Sequence, residues 1–189
     1  MTAKLTVMPT PIDGLKIIKP MVHYDDRGCF LETYQRRDFE AIGICDEFVQ
    51  DNQSNSCTGT LRGLHFQTNN AQAKLVRAVV GLVWDVAVDL RGGSPTYGKW
   101  YGVPLSVTNR LQYYIPAGFA HGFFALSSAD LLYKCSELYD PEHEHGIVWN
   151  DPDIGIDWPL GGTEPLVSGR DKNLPSFKHV CKNLMEGRW

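Results

Sequence analysis

The chain has 189 residues, 43% hydrophobic and 21% charged, and its 18 lysines and arginines against 22 aspartates and glutamates leave a formal net charge of −4. This length closes one hydrophobic core without disulfide or metal staples, so the small-scaffold classes are excluded and one domain over 1–189 is expected. The acidic balance argues against nucleic acid as a partner, which would need a basic face, but admits a small phosphorylated ligand.

The opening MTAKLTVMPTPIDG contains no signal-type apolar core. Short alternating runs predict strands over 15–19 and 30–34, with a short helix over 37–42. In 61–67, alternation sets Arg62, Leu64 and Phe66 on one side and Leu61, Gly63, His65 and Gln67 on the other. Strands over 75–79 and 84–91 follow, with Gly81 between them. In the second of these, Trp84, Val86, Val88 and Leu90 form one face and Asp85, Ala87, Asp89 and Arg91 the other, so the polar groups must meet water or partners. Beyond the turn residues at 92–95 come strands over 99–105, 111–115, 121–126, 131–137 and 146–149, punctuated by Pro116-Ala117-Gly118 and Asp140-Pro141. The stretch 161–165 leads a terminal arm back over the body, and part of the tail after Lys172 reads as helix. Many short strands with little helical period predict an all-β sandwich or barrel of the jelly-roll kind.

The best apolar window, Ala78 to Trp84, ends at Asp85 and is far short of the ~18 residues of a membrane span. No membrane partner is expected, and a cytoplasmic location is. Five cysteines, odd in number and without a C-x-x-C, read as reduced packing residues.

Two stretches combine glycine, arginine and histidine with apolar residues: 60–67 and 115–123. The Pro-x-Gly-x-x-His spacing over 116–121 resembles the second half of the cupin signature. In metal-binding cupins the first half supplies a His-x-His pair and an acidic residue. Here His65-Phe66-Gln67 offers one histidine, and two histidines without a third ligand make a poor transition-metal site. A metal-free cupin-type double-stranded β-helix, with short peripheral helices and no cofactor, is therefore expected.

The strings DDRGCFLETY (25–34), FVQDNQS (48–54), LRGLHFQ (61–67), AKLVRAVVGLVWDVAVDLR (73–91), SPTYGKW (94–100), IPAGFAHGF (115–123), LLYKCSELYDP (131–141) and WNDPDIGIDWP (149–159) resemble the dTDP-4-dehydrorhamnose 3,5-epimerase family, in order and at its spacings. The resemblance implies a jelly-roll homodimer that epimerises carbons 3 and 5 of a dTDP-4-keto-6-deoxyhexose on the route to dTDP-L-rhamnose.

Epimerisation beside a ketone needs a base for a carbon-bound proton, a group to hold the enolate oxygen, and an acid on the opposite face. By resemblance the base is His65, whose imidazole accepts a proton near neutral pH, and its orienting carboxylate is Asp171. Lys74 is the cation facing the carbon-4 oxygen and Tyr133 the acid. Arg27, Arg62 and Arg170 are candidates for the diphosphate, since a guanidinium suits forked binding of phosphate oxygens. The resemblance adds Glu32, Gln50, Asp51, Asn52, His121 and Glu144 as substrate contacts, with 50–52 facing the base. Three rivals remain: an enzyme of the same fold inverting only carbon 3 or only carbon 5, a binding-only cupin, and a metal-dependent oxygenase.

Overall fold

The computed structural model describes residues 4–188. Along the chain run β1 (Leu5–Pro9), β2 (Lys16–Pro20), β3 (Val22–Asp25), β4 (Gly28–Leu31), α1 (Arg36–Ala41), β5 (Gln50–Ser56), β6 (Thr60–Gln67), β7 (Lys74–Val80) and β8 (Leu82–Asp89). They are followed by β9 (Trp100–Ser106), β10 (Gln112–Ile115), β11 (Phe119–Ala125), β12 (Ala129–Cys135), β13 (Glu144–Gly146), β14 (Leu166–Val167), α2 (Gly169–Lys172) and α3 (Phe177–Met185). One antiparallel sheet has the order β1-β2-β10-β7-β12-β5 and the other β13-β6-β11-β8-β9, with β14 added parallel to β6. The non-sequential neighbours are those of the expected cupin-like double sheet.

Alternation explains how the sheets stack. Val76, Ala78, Tyr113, Ile115 and Leu131 from the first sheet meet Val83, Ala87, Val103, Leu105 and Phe123 from the second in the main core. The other face of the second sheet, carrying Leu61, Leu64, Val86, Val88 and Phe124, is covered by Ile147, Ile154, Trp158 and Val180 from the C-terminal segment. That is why 84–91 has an apolar face and a face with two aspartates, both of them fully buried. The apolar residues lie under the arm, while Asp85 and Asp89 turn inward. On the outer face of the first sheet, Ile18, Leu75 and Tyr114 pack against Phe39 and Ile44 around α1.

Several expectations are corrected. The strand expected over 30–34 is β4, which ends at Leu31 and pairs only with β3 in a separate two-stranded ribbon. The strand expected over 146–149 is β13, ending at Gly146. β1, β3, β5 and β14 carry no strong alternating apolar signal. In β5 the sequence QDNQSNS has no apolar residue, and pairing with β12 decides its conformation. All five cysteines are free, but Cys29, Cys45 and Cys57 are exposed, so those three are not packing residues. Among the described residues no helix is long and apolar enough to cross a membrane.

Candidate active site

A large open cavity lies between the sheets. It is lined by Gln50 and Asn52 from β5, Lys74 from β7 and Tyr133 from β12 on one side, and by Arg62, His65 and His121 from β6 and β11 on the other. The segment after β14 closes one wall with Ser168, Arg170 and Asp171.

Strict alternation would put Arg62 and His65 on opposite sides of β6. Both line the cavity because the strand carries a bulge. His121 pairs with His65 and Phe123 with Arg62, so three steps along β6 match two along β11. The extra residue re-aims the side chains, sending Leu61 and Leu64 to the core beneath the arm. Gly63 is required at this point. Its φ is +109°, and a Cβ there would lie 2.7 Å from both the Gly122 Cα and the His121 carbonyl oxygen.

His65 Nε2 lies 2.8 Å from Asp171 Oδ1, although 106 residues separate the two. Asp171 is 4% exposed and accepts a second hydrogen bond, at 3.1 Å, from the Gly63 N–H. Its own N–H donates at 3.0 Å to Ser168 Oγ, the cap of α2. Burial pushes the Asp171 carboxyl up, but the bonds from His65, Gly63 and Ser168 outweigh it and hold the group below the usual carboxylate range. A carboxylate only accepts, so neutral His65 carries its hydrogen on Nε2 and keeps a lone pair on Nδ1.

Lys74 is partly buried, and among the described residues it makes no ion pair within 4.0 Å. Burial lowers its pKa, against the opposing fields of Cys135, Glu144 and Asp85. A desolvated ammonium without a carboxylate partner is suited to receive an anionic oxygen. Across from β6, Tyr133 lies on the inward face of β12 with Leu131 and Cys135, as alternation requires, and burial raises its phenol pKa, keeping the proton in place.

Arg62 is aimed by two bonds of 3.0 Å, from Nε to Ser56 Oγ and from Nη2 to the Asn55 carbonyl. Arg170 pairs with Glu144, which also accepts from the Tyr139 hydroxyl at 2.9 Å. Gln50 donates to Asn52 at 3.1 Å and accepts from the Tyr139 N–H at 2.9 Å. His121 donates from Nε2 to both oxygens of Asp85, at 2.9 and 3.0 Å.

Three expected contacts do not line this cavity. Asp51 alternates with Gln50 and Asn52, so it faces the opposite side of β5 and pairs with Lys134 at 2.9 Å. Arg27 sits at the exposed tip of the β3–β4 ribbon, paired with Asp25, and Glu32 follows the ribbon, 3.5 Å from Lys4. Conversely, Tyr139, Gln72, Ser168 and Gly122 line the cavity without having been singled out, and Asp85 touches a lining residue from behind. The signal for Asp85 was present as a charge on the inward face of β8. Tyr139 had only its place before the Asp140-Pro141 turn. No group of three His, Cys, Asp or Glu among the described residues is arranged to hold a metal ion.

The sequence matches the dTDP-4-dehydrorhamnose 3,5-epimerase family over residues 9–179. An enzyme of that name from Pseudomonas aeruginosa is 55% identical over 168 residues, covering 88% of this chain and 92% of that protein. The solved structure of a dTDP-6-deoxy-D-glucose-3,5-epimerase from Legionella pneumophila, in complex with dTDP-4-keto-L-rhamnose, is 49% identical with a TM-score of 0.89, covering 92% of this chain and 93% of that one. A 3′-monoepimerase from Streptomyces bikiniensis, in complex with dTDP-quinovose, is 37% identical with a TM-score of 0.84, covering 95% and 90%. With half of its residues identical over most of its length and the same fold, the chain belongs to the dTDP-4-dehydrorhamnose 3,5-epimerase family.

Proposed function

We propose that the chain converts dTDP-4-dehydro-6-deoxy-D-glucose to dTDP-4-dehydro-L-rhamnose by inverting carbons 3 and 5. The observation that carries this reading is the placement of His65 and Tyr133 on opposing sheets across one cavity, with Lys74 among its lining residues. Inversion needs a proton removed from one face of the sugar and another delivered to the opposite face. Carbons 3 and 5 both flank the carbon-4 ketone, so one cation serves both steps.

In each step Nδ1 of His65 takes the proton from carbon, and the electron pair of the C–H bond moves into an enolate whose oxygen faces Lys74. Tyr133 then donates its phenolic proton to the same carbon from the far side, and solvent returns a proton to tyrosine and removes one from His65. Asp171 holds the imidazolium while it exists. Arg62 and Arg170 are placed for the diphosphate, with Arg170 exchanging Glu144 for phosphate oxygens. Gln50, Asn52 and His121 complete the polar lining, and the ring of Tyr139, 50% exposed, offers a flat face to a base.

A homodimer is part of this reading. The β3–β4 ribbon leaves Tyr24 and Phe30 each 70% exposed, and Arg27 and Glu32 reach a substrate only if the ribbon meets the cavity of a second copy. Sedimentation as a monomer would remove both residues from the substrate set. Five free thiols, three of them exposed, support a reducing, cytoplasmic compartment.

The test is incubation with dTDP-4-keto-6-deoxyglucose in deuterated water, followed by NMR. Deuterium at carbons 3 and 5 supports the double epimerase. Deuterium at one carbon supports the restricted reading that the likeness to a 3′-monoepimerase keeps in play. No uptake by the folded protein overturns both.

A further inference from the structure

Gln67 ends β6 and is buried in a small recess that shares His65, Lys74, Tyr139 and Glu144 with the main cavity. A buried primary amide needs partners for two N–H groups and one carbonyl oxygen. Here every partner is main chain. Nε2 lies 3.0 Å from the Asn69 carbonyl oxygen, 2.8 Å from that of Asn70 and 3.3 Å from that of Leu138, so three carbonyls share its two hydrogens. Oε1 accepts from the Asp140 N–H at 3.1 Å.

The bonds to Leu138 and Asp140 bracket Tyr139. One holds the peptide group before it and the other the peptide group after it, as a neighbouring strand would. Leu138 is 66% exposed and Tyr139 50%, so packing does little to fix this turn and hydrogen bonds decide its shape. The same amide reaches, through Asn69 and Asn70, the connection that leads to Lys74, where Asn70 has a φ of +48°. Two more bonds join these segments, from Gln72 Nε2 to the Glu137 carbonyl at 2.9 Å and from the Thr68 N–H to the His143 carbonyl at 3.1 Å. Gln67 is the one side chain among them that grips both peptides of Tyr139.

We propose that Gln67 is a positioning residue for nucleotide binding, presetting the face that Tyr139 offers to the base by pinning the peptides on either side of it to the end of β6. The proposal rests on the functional reading above. Gln67 acts through Tyr139 and does not itself touch the nucleotide. A face that is already set loses less freedom when the ligand binds, so losing the tie weakens affinity. The proton transfers are spared, because the bond of His65 to Asp171 and the place of Tyr133 on β12 do not depend on this amide.

Gln67→Met is close in length and volume and removes all four bonds. This variant, Tyr139→Ala and the double variant are compared by calorimetry with dTDP, by KM and kcat from deuterium uptake, and by hydrogen exchange at the Asp140 amide. Gln67→Met is expected to weaken dTDP binding and raise KM ~5- to 30-fold, with kcat within about twofold of wild type and the Asp140 amide exchanging faster. Most of the lost affinity is expected to vanish in the Tyr139→Ala background, because residues acting through one another are not additive. Gln67→Ala, which leaves room for water to serve the freed carbonyls, carries the same comparison if the methionine variant does not fold.

Affinity within twofold of wild type, a loss that falls on kcat with KM unchanged, or the full loss persisting without Tyr139 would overturn the proposal. The two readings fail differently. A wild-type protein that neither binds dTDP nor takes up deuterium sinks the functional reading, and the role of Gln67 with it. Normal dTDP affinity in Gln67→Met beside a weakened Tyr139→Ala sinks only the role of Gln67.

Discussion

Replacing Asp171 by asparagine changes the charge behind His65 while leaving the shape almost untouched. Oδ2 of Asp171 accepts the Gly63 N–H and Oδ1 faces His65 Nε2. The amide keeps the Gly63 bond by placing its oxygen there, which turns its NH2 group toward Nε2. His65 must then present a lone pair at Nε2 and hydrogen at Nδ1, the tautomer that cannot accept a proton from substrate. The second loss is electrostatic. Charge centres ~4 Å apart at an effective dielectric constant near 20 interact by about 4 kcal/mol. His65 keeps 26% of its side chain exposed, so about 3 kcal/mol is the working value, the upper end for a hydrogen bond to a charged group. At ~1.4 kcal/mol per tenfold this slows proton abstraction about a hundredfold, and the wrong tautomer extends the loss toward ~10⁴-fold. The assay is the initial rate of deuterium uptake at carbons 3 and 5 under saturating substrate, with folding checked by circular dichroism. A folded Asp171→Asn enzyme retaining more than a tenth of wild-type turnover would refute the dyad reasoning.

Further outcomes follow from the same geometry. Lys74→Met, similar in length but uncharged, is expected to slow deuterium uptake ~10²- to 10³-fold while dTDP binding, read by calorimetry, is retained; unchanged uptake would detach Lys74 from the enolate. Tyr133→Phe removes the far-side acid and leaves the base, so deuterium should still enter while inverted product falls at least ~10²-fold; inversion at the normal rate would assign the acid elsewhere. Gly63→Ala forces a Cβ to 2.7 Å from the β11 backbone at positive φ, which costs about 1–3 kcal/mol or more; each kcal/mol lowers Tm by ~2–4 °C in a domain of this size, and an unchanged Tm contradicts the close approach. Asp89 is fully buried; burial raises its pKa, but bonds from Arg91, Ser94 and Thr96 dominate and hold it far below the ordinary value. The folded state therefore binds this proton later than the unfolded one, and the stabilisation, complete above pH ~4, is lost as pH falls through the folded pKa. Asp89→Asn should be less stable at pH 7 by urea titration yet lose less between pH 5 and pH 2; an equal acid slope would show that this carboxyl does not drive the loss.

Much of the architecture is legible without coordinates because alternation is a local property. The central strands β7 to β12 follow from apolar periodicity, and their breaks fall at glycine and proline turns. What escapes is decided by partners distant in sequence. The polar β5 is a strand because β12 offers it a ladder, and its alternation separates Asp51 from Gln50 and Asn52. Arg62 and His65 share a face because a bulge against β11 overrides the period of two.

The charge total of −4 argues against a polyanionic polymer and admits a small anionic ligand, and the proposed base, cation and acid come from the resemblance that the motifs carry. Tertiary structure alone brings Asp171 to His65 across 106 residues and Asp85 to His121 across 36. It also sets His65 and Tyr133 across the cavity from one another by placing β6 and β12 in opposing sheets. The physical reason is range: periodicity and turn chemistry act over a few residues, whereas the field and tautomer of a buried imidazole depend on whichever carboxylate the packed sheets bring within 3 Å.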